Sequence, residues 1–369
     1  MRIAFFNWRD IRHPAGGGAE VFVHEILRRL AAKGHKATIF CGTYPGAAPY
    51  EMIDGIEHVR YGSRFMIYPK SVLCYKKHIE GKYDIIVDSV NGMPFFTPLF
   101  AKEKVVPLIY QLTRELWYSG LSLPLAVFGT YTEDLMLRPY HNLKTITISD
   151  STKADLRALG FKDVGIVSCA TGIRAPQDPV KESRPTLLYL GRITKAKRVD
   201  HAIRAFQLIR SELPDAQLWI AGAGSQEPRL KRLSTDLGLE KSVRFFGRVS
   251  EEEKARLMAS AHLLLFPAVR EGWGIVVLEA NACGTPVLGY DVPGVRDSVR
   301  EGTNGYLVKD GDINAMGKKA VSLLTDPVAL KELSRSAKGY ASEFSWDRSA
   351  KEFESALADA AGQSKSTER

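Results

Sequence analysis

The amino-acid sequence predicts an α/β protein made of two Rossmann-like domains, each a doubly wound parallel sheet. Two observations support this prediction: short apolar runs alternate with helical patterns, and the alternation restarts after residue 185. Parallel sheets with helices on both faces produce such buried runs. The chain has 369 residues, which is more than one hydrophobic core usually supports, so two domains are expected.

The first series of elements assigns residues 1–174 to an N-terminal domain. Ala19–Lys33 has the apolar periodicity of an amphipathic helix. The apolar runs that we interpret as strands are 3–6, 37–41, 85–87, 105–109 and 145–148.

The second series assigns residues 186–345 to a C-terminal domain. Its predicted strands are 186–190, 217–221, 243–246, 263–266 and 306–308, and its predicted helices are 199–213, 227–237, 251–260 and 313–324.

Three segments lie outside these two series. Residues 175–185 contain three prolines and no periodic apolar pattern, so we predict an interdomain linker. A last helical pattern, residues 346–361, has an apolar face whose partner the spacing does not identify. Residues 362–369 are polar and are predicted to form a disordered tail.

Composition limits the possible partners and cofactors. The net charge of +9 suits a polyanion, which leaves nucleotide diphosphates, nucleic acid or an anionic membrane surface open. The four cysteines are far apart in the sequence and form no C-x-x-C pair, which argues against a disulfide framework and a zinc site. No apolar run approaches the roughly 18–20 residues of a membrane span. We therefore expect a cytoplasmic protein.

The strongest signals follow the predicted strands of the second domain. Gly191 and four cations within residues 192–198 come directly after strand 186–190. Cations at a strand end are suited to neutralise a diphosphate, although a solvated basic turn is the alternative. Glycines Gly222 and Gly224 follow the next strand, and Gly247, Arg248 and Val249 follow the one after. Because carboxyl ends of parallel strands share one edge, these residues are expected to meet there.

The segment Glu271-Gly-Trp-Gly-Ile-Val-Val-Leu-Glu279 places two carboxylates on either side of a Gly-rich turn that opens a helix. Free N–H groups at a helix start suit a phosphate. The alternative is a loop glutamate and a solvated helix glutamate.

In the first domain, Gly16, Gly17 and Gly18 follow strand 3–6. They lack the G-x-G-x-x-G spacing, which disfavours NAD or FAD, and a flexible turn is as compatible as a binding loop.

Together these motifs resemble the retaining nucleotide-sugar glycosyltransferases of family 4, which have the GT-B fold with two domains facing a central cleft. The resemblance extends over essentially the whole chain. It is carried above all by Glu271-x7-Glu279 and the following Ala282-Cys-Gly-Thr-Pro-Val287. It also implies that the helix at 346–361 returns to the first domain.

The resemblance implies a role for each motif. Arg192 and Lys197 would hold the donor diphosphate, Glu271 would accept hydrogen bonds from the donor sugar, and Glu279 would bind the ribose. We name Glu271, Arg192 and Lys197 as catalytic candidates. The donor-binding candidates are Gly16, Gly17, Gly18, Gly191, Gly222, Gly224, Arg248, Val249, Gly272, Trp273, Gly274, Ile275 and Glu279.

One departure from the family concerns the first domain. Many members carry a histidine after the fifth strand, where this chain has Tyr110 or Gln111. Those two residues, Asn91, Arg114 and Glu115 are candidates for acceptor contacts. We interpret His13, beside the Gly loop, as a solvated loop histidine.

The implied activity is retaining transfer of a hexosyl unit, that is mannose, glucose or N-acetylhexosamine, from a UDP- or GDP-sugar to a glycan or lipid-linked acceptor hydroxyl. No metal or other cofactor and no nucleic-acid partner are expected. A nucleotide-sugar epimerase and a non-catalytic sugar-nucleotide-binding subunit are the alternatives. Basic helices at 21–33 and 69–82 suggest a peripheral contact with the inner face of the membrane, although both could be solvated faces.

Overall fold

The computed structural model describes residues 1–63, 66–176 and 180–362, which form two compact units. The first unit contains residues 1–114 and 124–169 together with the C-terminal residues from Ser345 onward. The second contains residues 115–123 and 170–344. The predicted tail lies, from residue 363 onward, outside the described residues.

Each unit is built around one parallel sheet, which confirms the predicted fold class. The first sheet has the strand order β3-β4-β2-β1-β5-β6-β7-β8, and the second has the order β11-β10-β9-β12-β13-β14. Among the strand pairs of the described residues, only β3–β4 is antiparallel. The strands are β1 (Arg2–Phe6), β2 (Lys36–Cys41), β3 (Tyr50–Ile53), β4 (Ile56–Arg60), β5 (Ile85–Val90), β6 (Lys104–Ile109), β7 (Lys144–Thr147), β8 (Asp163–Ile166), β9 (Thr186–Leu190), β10 (Gln217–Ala221), β11 (Val243–Gly247), β12 (Leu263–Phe266), β13 (Val287–Tyr290) and β14 (Gly305–Val308).

Helices connect the strands. Short 3₁₀ turns lie at Thr97–Leu99, Arg138–Tyr140 and Lys195–Lys197, and a π-helical turn lies at Tyr75–Ile79. The α-helices are α1 (Gly18–Ala32), α2 (Ser71–Cys74), α3 (Glu115–Gly120), α4 (Leu123–Leu137), α5 (Asp150–Ala158), α6 (Val199–Glu212), α7 (Glu227–Asp236), α8 (Glu251–Ser260), α9 (Ile275–Ala282), α10 (Val295–Ser298), α11 (Ile313–Leu324), α12 (Pro327–Ser342) and α13 (Trp346–Ala360).

Alternation along β5 shows which helices share a face of the first sheet. Ile86 packs in the same apolar cluster as Cys74 of α2, whereas Val90 packs with Leu137 at the end of α4. Asp88, between them on the same side, accepts the hydroxyl hydrogen of Tyr140 at 2.6 Å. Because side chains two residues apart point to one face, α2 and the end of α4 cover the same side of the sheet.

The terminal helix α13 covers the opposite side of the first sheet. Phe353 stacks on Phe5 of β1, with ring centroids 6.5 Å apart. Two ion pairs join α13 to α1: Arg29 pairs with Asp347 and Lys33 pairs with Glu354, each at 2.5 Å. The helix at 346–361 thus lies in the first unit. The predicted basic face of helix 21–33 is wrong, because acids of α13 and of α1 itself pair with its cations.

The two units divide at other positions than the predicted domain boundaries. Residues 115–123 belong to the second unit, where Glu115 of α3 pairs with the buried Arg270. The chain enters the second unit at Ala170, before the predicted linker. Within that predicted linker, residues 177–179 lie outside the described residues. Lys181 packs into the second unit and donates to the Thr285 hydroxyl at 2.7 Å and to the Gly284 carbonyl at 3.0 Å.

We expect Lys181 to make stability depend on pH. Burial lowers the pKa of Lys181 to about 7, whereas an unfolded lysine titrates near 10.4. Between these values the unfolded chain binds the extra proton, so the free energy of unfolding should rise with pH. Relative to Lys181→Met, the wild type should gain a few kcal/mol between pH 7 and pH 10 in urea titrations. The exposed Lys331→Met variant is the control, and a Lys181→Met difference that is constant with pH would show that Lys181 stays charged.

Candidate functional site

The turn after β9 is held by main-chain hydrogen bonds to the turn after β10. The Gly191 N–H donates to the Ala221 carbonyl, and the Ile193 N–H donates to the Ala223 carbonyl, both at 3.0 Å. The pairing of the two parallel strands therefore continues into the loops that follow them. This contact fixes the path of the cationic turn at residues 191–198.

Gly222 and Gly224 make that contact possible. A Cβ on Gly222 would lie 1.9 Å from the Gly191 carbonyl oxygen, and a Cβ on Gly224 would lie 2.2 Å from the Ile193 carbonyl oxygen. Both distances are far below van der Waals contact, so only glycine fits. The sequence predicts that these glycines border the donor, and the structure shows that they allow close approach of two backbones. A donor contact at Gly222 or Gly224 stays a prediction.

The structure brings two of the predicted catalytic residues together. Lys197, in the 3₁₀ turn after β9, forms an ion pair with Glu271, and both side chains are largely buried. The Glu271 N–H donates to the Pro293 carbonyl at 3.0 Å, which anchors the loop that carries the carboxylate. A second main-chain bond, from the Val269 N–H to the Ala196 carbonyl at 2.9 Å, joins the two loops.

Arg192 lies in the same turn with an exposed side chain. The buried hydroxyl of Tyr189 donates to the Arg192 carbonyl at 2.9 Å and so holds its backbone. Burial and the nearby Glu271 charge raise the pKa of Tyr189, which keeps this donor protonated. Within residues 180–362 and the other described ranges, the Arg192 guanidinium has no hydrogen-bond partner, so it presents a cation at the edge of the site.

Helix α9 begins directly after the glycine turn. Gly274 is its N-cap and has φ +90°, a backbone conformation that favours glycine. Ile275 is the first helical residue, so the orphan N–H groups of the helix start begin at the end of the predicted donor segment, residues 272–275. The Trp273 ring is buried against Phe344, with centroids 5.8 Å apart. Its ring therefore serves packing, and only its backbone fits the predicted donor-binding role.

Glu279 has a partner that sequence reasoning missed. The ammonium of Lys254, on α8, lies 2.8 Å from a carboxylate oxygen of Glu279. Burial raises the pKa of Glu279, and the positive charge of Lys254 opposes that rise. In the sequence, Lys254 follows three glutamates and has the appearance of a solvated helix lysine, so no local signal identified it.

Arg248 and Val249 follow β11 as predicted. Gly247, with φ +67°, turns the chain there. Arg248 is exposed and has no side-chain hydrogen bond among the described residues, whereas Val249 packs partly against the core of the second unit. Both residues stay predicted donor-binding candidates.

In the first unit, the Gly loop leads into α1. Gly17 is the N-cap, and its N–H donates to the Glu20 carboxylate at 2.6 Å. The Gly16 N–H donates to the His13 carbonyl at 2.8 Å, and Nδ1 of His13 accepts the Ala15 N–H at 3.0 Å. The interpretation of His13 as a solvated loop residue is therefore wrong, because its ring is half-buried and orders the loop.

A buried ion pair anchors the segment that leads to this loop. Arg60, at the end of β4, pairs with Asp10 at 2.5 Å, and both side chains are fully buried. Arg60 also pairs with Glu51 at 2.7 Å. Charges removed from water require such partners, so this cluster fixes residue 10 against β4. The sequence contained no local signal for it, because the two residues are 50 positions apart.

The acceptor candidates after β6 are held by contacts within the first unit. Tyr110 is buried, its hydroxyl lies 3.4 Å from Ser89 and 3.5 Å from the Ala19 carbonyl, and burial raises its pKa. Tyr110 therefore packs inside the first unit, and its contact with an acceptor stays a prediction. Gln111 is half-buried, and its Oε1 has no partner among the described residues. Arg114 pairs with Asp134 at 2.7 Å.

The remaining acceptor candidates lie apart. Asn91 is half-buried beside Gly92, whose φ is +91°. Glu115 belongs to the second unit and is engaged by Arg270. In the described parts of the chain, His, Cys, Asp and Glu side chains form no group suited to hold a metal ion.

Comparisons with known proteins agree with this arrangement. Residues 16–173 match the family described as Glycosyltransferase Family 4, and residues 174–343 match Glycosyl transferases group 1. A D-inositol 3-phosphate glycosyltransferase of Streptomyces bingchenggensis is 32% identical over 377 residues, covering 90% of this chain and 83% of that protein.

Two further proteins are similar. A GDP-mannose-dependent monoacylated alpha-(1-6)-phosphatidylinositol monomannoside mannosyltransferase of Corynebacterium glutamicum is 31% identical over 174 residues, 45% of each chain. The crystal structure of Anabaena HepE in complex with UDP-glucose has a TM-score of 0.78 at 17% identity, covering 97% of this chain and 100% of that one.

The fold and the sequence matches define a glycosyltransferase of the GT-B class, an enzyme that transfers a sugar to an acceptor. The chain belongs to the family 4 glycosyltransferases.

We expect Gly224→Ala to destabilise the second unit, because the added Cβ would meet the Ile193 carbonyl at 2.2 Å. A loss of about 1–3 kcal/mol is the usual result of overpacking. Gly339→Ala is the matched control, since a Cβ there meets open space and helix interiors favour alanine. Urea unfolding of both variants checks this, and equal stabilities would contradict the packing role of Gly224.

We expect Lys254→Met to weaken donor binding at low pH. Without Lys254, no positive charge opposes the effect of burial, so the pKa of Glu279 should rise further. The donor KM should then increase about tenfold. In a plot of donor KM against pH, the rise of KM on the acid side should begin at a higher pH. The pH profile of donor KM tests this, with Lys331→Met as control. An unchanged onset of that rise would separate Lys254 from the ionisation of Glu279.

Proposed function

We propose that this enzyme transfers a hexosyl unit, namely mannose, glucose or N-acetylhexosamine, from a UDP- or GDP-sugar to an acceptor hydroxyl with retention at the anomeric carbon. The Lys197–Glu271 pair beside the exposed Arg192 carries the proposal, because it joins cations and a carboxylate at the strand ends of one unit. The names of the similar proteins, which include a GDP-mannose-dependent enzyme and a protein bound to UDP-glucose, support both nucleotides as candidates.

In this proposal the diphosphate is held by the cations and by the start of α9. Arg192 can bind phosphate oxygens with two nitrogens, Lys197 supplies a point charge, and the N–H groups of the helix start favour an anion. These groups stabilise the negative charge that develops as the nucleotide leaves. A metal ion is not required for that step.

The transfer step would occur on one face of the sugar. The acceptor oxygen forms a bond to the anomeric carbon as the bond to the diphosphate oxygen breaks. The acceptor proton passes to a departing phosphate oxygen, so no separate base is needed. The contribution of the protein is then positioning and charge stabilisation.

The two glutamates serve binding in this proposal. Each is paired with its own lysine, Glu271 with Lys197 and Glu279 with Lys254. A carboxylate held in this way is an acceptor for sugar or ribose hydroxyls. They therefore do not act as an acid and base pair.

We further propose a glycan or lipid-linked acceptor and a place on the inner face of an anionic membrane. A relative whose name includes phosphatidylinositol monomannoside supports a lipid-linked acceptor. Within the described ranges, no helix has both the length and the apolar character to cross a bilayer. Any contact with lipid would then be peripheral.

A panel of UDP- and GDP-sugars tests the donor. Slow hydrolysis of one of them, and the anomeric configuration of the released or transferred sugar by NMR, identifies donor and stereochemistry together. Binding without hydrolysis or transfer would favour a non-catalytic subunit, and interconversion of two nucleotide-sugars would favour an epimerase.

We expect Glu271→Ala to lower kcat for transfer about a thousandfold, because the donor sugar loses its carboxylate partner and Lys197 loses its ion pair. Arg192→Ala should weaken UDP or GDP affinity about tenfold. Glu252→Ala, an exposed carboxylate of α8, is the control. Isothermal titration and initial rates give both quantities, and near-normal transfer by Glu271→Ala would refute the donor-site assignment.

A further inference from the structure

Helix α4 carries large apolar side chains on its solvent face. Leu125, Phe128, Tyr131 and Leu135 are between 53% and 74% exposed. They are spaced three or four residues apart, so they form one stripe along the helix. We call these four residues the α4 stripe.

The opposite side of α4 is already used for packing. Ala126, Gly129, Glu133 and Leu137 are buried against the first unit. Glu133 accepts the Thr113 N–H at 2.6 Å and therefore serves the loop after β6. The usual amphipathic order is thus reversed, with the larger apolar residues outside. An exposed apolar surface of this kind marks a site that meets another apolar phase.

Exposed lysines lie on the same side of the first sheet as the α4 stripe. The alternation along β5 places α2 there together with the end of α4. Leu73 of α2 is 68% exposed, and Lys70, Lys76 and Lys77 are exposed beside it in the chain. Within the described part of the chain, none of these three lysines forms an ion pair.

Of the described carboxylates near this surface, two are paired with cations, whereas Glu103 accepts hydrogen bonds from the Tyr75 hydroxyl and the Gly81 N–H, each at 2.8 Å. Asp134 of α4 pairs with Arg114 at 2.7 Å, and Glu80, after the π turn, pairs with Lys102 at 2.6 Å. The surface formed by α2, the π turn and α4 therefore combines exposed apolar side chains with an excess of positive charge, because, among the described residues, three unpaired lysines stand against the one carboxylate of Glu103. We call it the α2/α4 face.

We propose that the α2/α4 face docks on the surface of an anionic lipid bilayer. The α4 stripe enters the boundary between headgroups and acyl chains, and Lys70, Lys76 and Lys77 meet lipid phosphates. A second copy of the chain fits less well, because two such faces would bring like charges together. The inference rests on the proposed function for its purpose, since docking there brings a lipid-linked acceptor to the enzyme.

Vesicle co-sedimentation of the full chain tests the proposal. Vesicles of phosphatidylglycerol and phosphatidylcholine are compared with pure phosphatidylcholine vesicles. We expect Phe128→Asp/Leu135→Asp to lower the partition coefficient at least about tenfold. Lys76→Glu/Lys77→Glu should lower it and flatten its dependence on salt. The control is Val328→Asp, which changes an apolar side chain of the second unit that is 69% exposed and should bind as wild type.

Three outcomes would overturn the proposal: unchanged binding by the stripe variant, equal binding to neutral vesicles, or absence of wild-type binding. Self-association in sedimentation velocity that the stripe variant abolishes, without vesicle binding, would assign the face to a second copy. Donor hydrolysis in solution is measured in parallel. If the stripe variant keeps donor hydrolysis, loss of vesicle binding refutes only the docking proposal, and the proposed chemistry stands. Vesicle binding without any donor turnover refutes the chemistry, and the docking proposal stands.

Discussion

The candidate donor site depends on a contact between bare backbones at the ends of β9 and β10. Gly222 and Gly224 let the second turn pass so close to the first that any Cβ would collide with a carbonyl oxygen. The main-chain bonds formed there set the path of residues 191–198. Lys197 lies at the end of that path. Its pairing with Glu271 therefore depends on Gly222 and Gly224, whose lack of a Cβ lets the two turns meet.

Ion pairs then give the two glutamates of the site separate partners. Lys197 holds Glu271, and Lys254 holds Glu279. In the first unit, the buried Asp10–Arg60 pair performs a comparable task for the segment that leads to the Gly loop. In each case a charge that is withdrawn from water keeps a partner of opposite sign. The Lys197–Glu271 and Asp10–Arg60 pairs hold loops, whereas the Lys254–Glu279 pair joins helices α8 and α9. Ion pairs thus add to the main-chain contacts that order these loops.

The terminal helix α13 decides which surface of the first unit stays positive. Its acids pair with the cations of α1, so the basic pattern of that helix is used for internal docking. Lys70, which precedes α2, and Lys76 and Lys77 of the π turn have no such partner among the described residues, and they share a side of the sheet with the apolar stripe of α4. The net charge of the chain does not show that the cations of α1 are paired whereas the lysines beside α2 are not.

The sequence by itself determined the fold class, the strands from 186 to 266, the turns that bear Arg192, Lys197 and Glu271, and the helix start that precedes Glu279. Those features depend on local periodicity and on the edge where parallel strands end, which are readable from spacing. Only the tertiary structure decided that Gly222 and Gly224 serve packing, that Tyr110 is buried, and that Lys254 is the partner of Glu279. The tertiary structure also assigns residues 115–123 to the second unit, where Glu115 pairs with Arg270. Such pairings join residues that are tens of positions apart, and no local pattern encodes the distance between side chains that folding brings together.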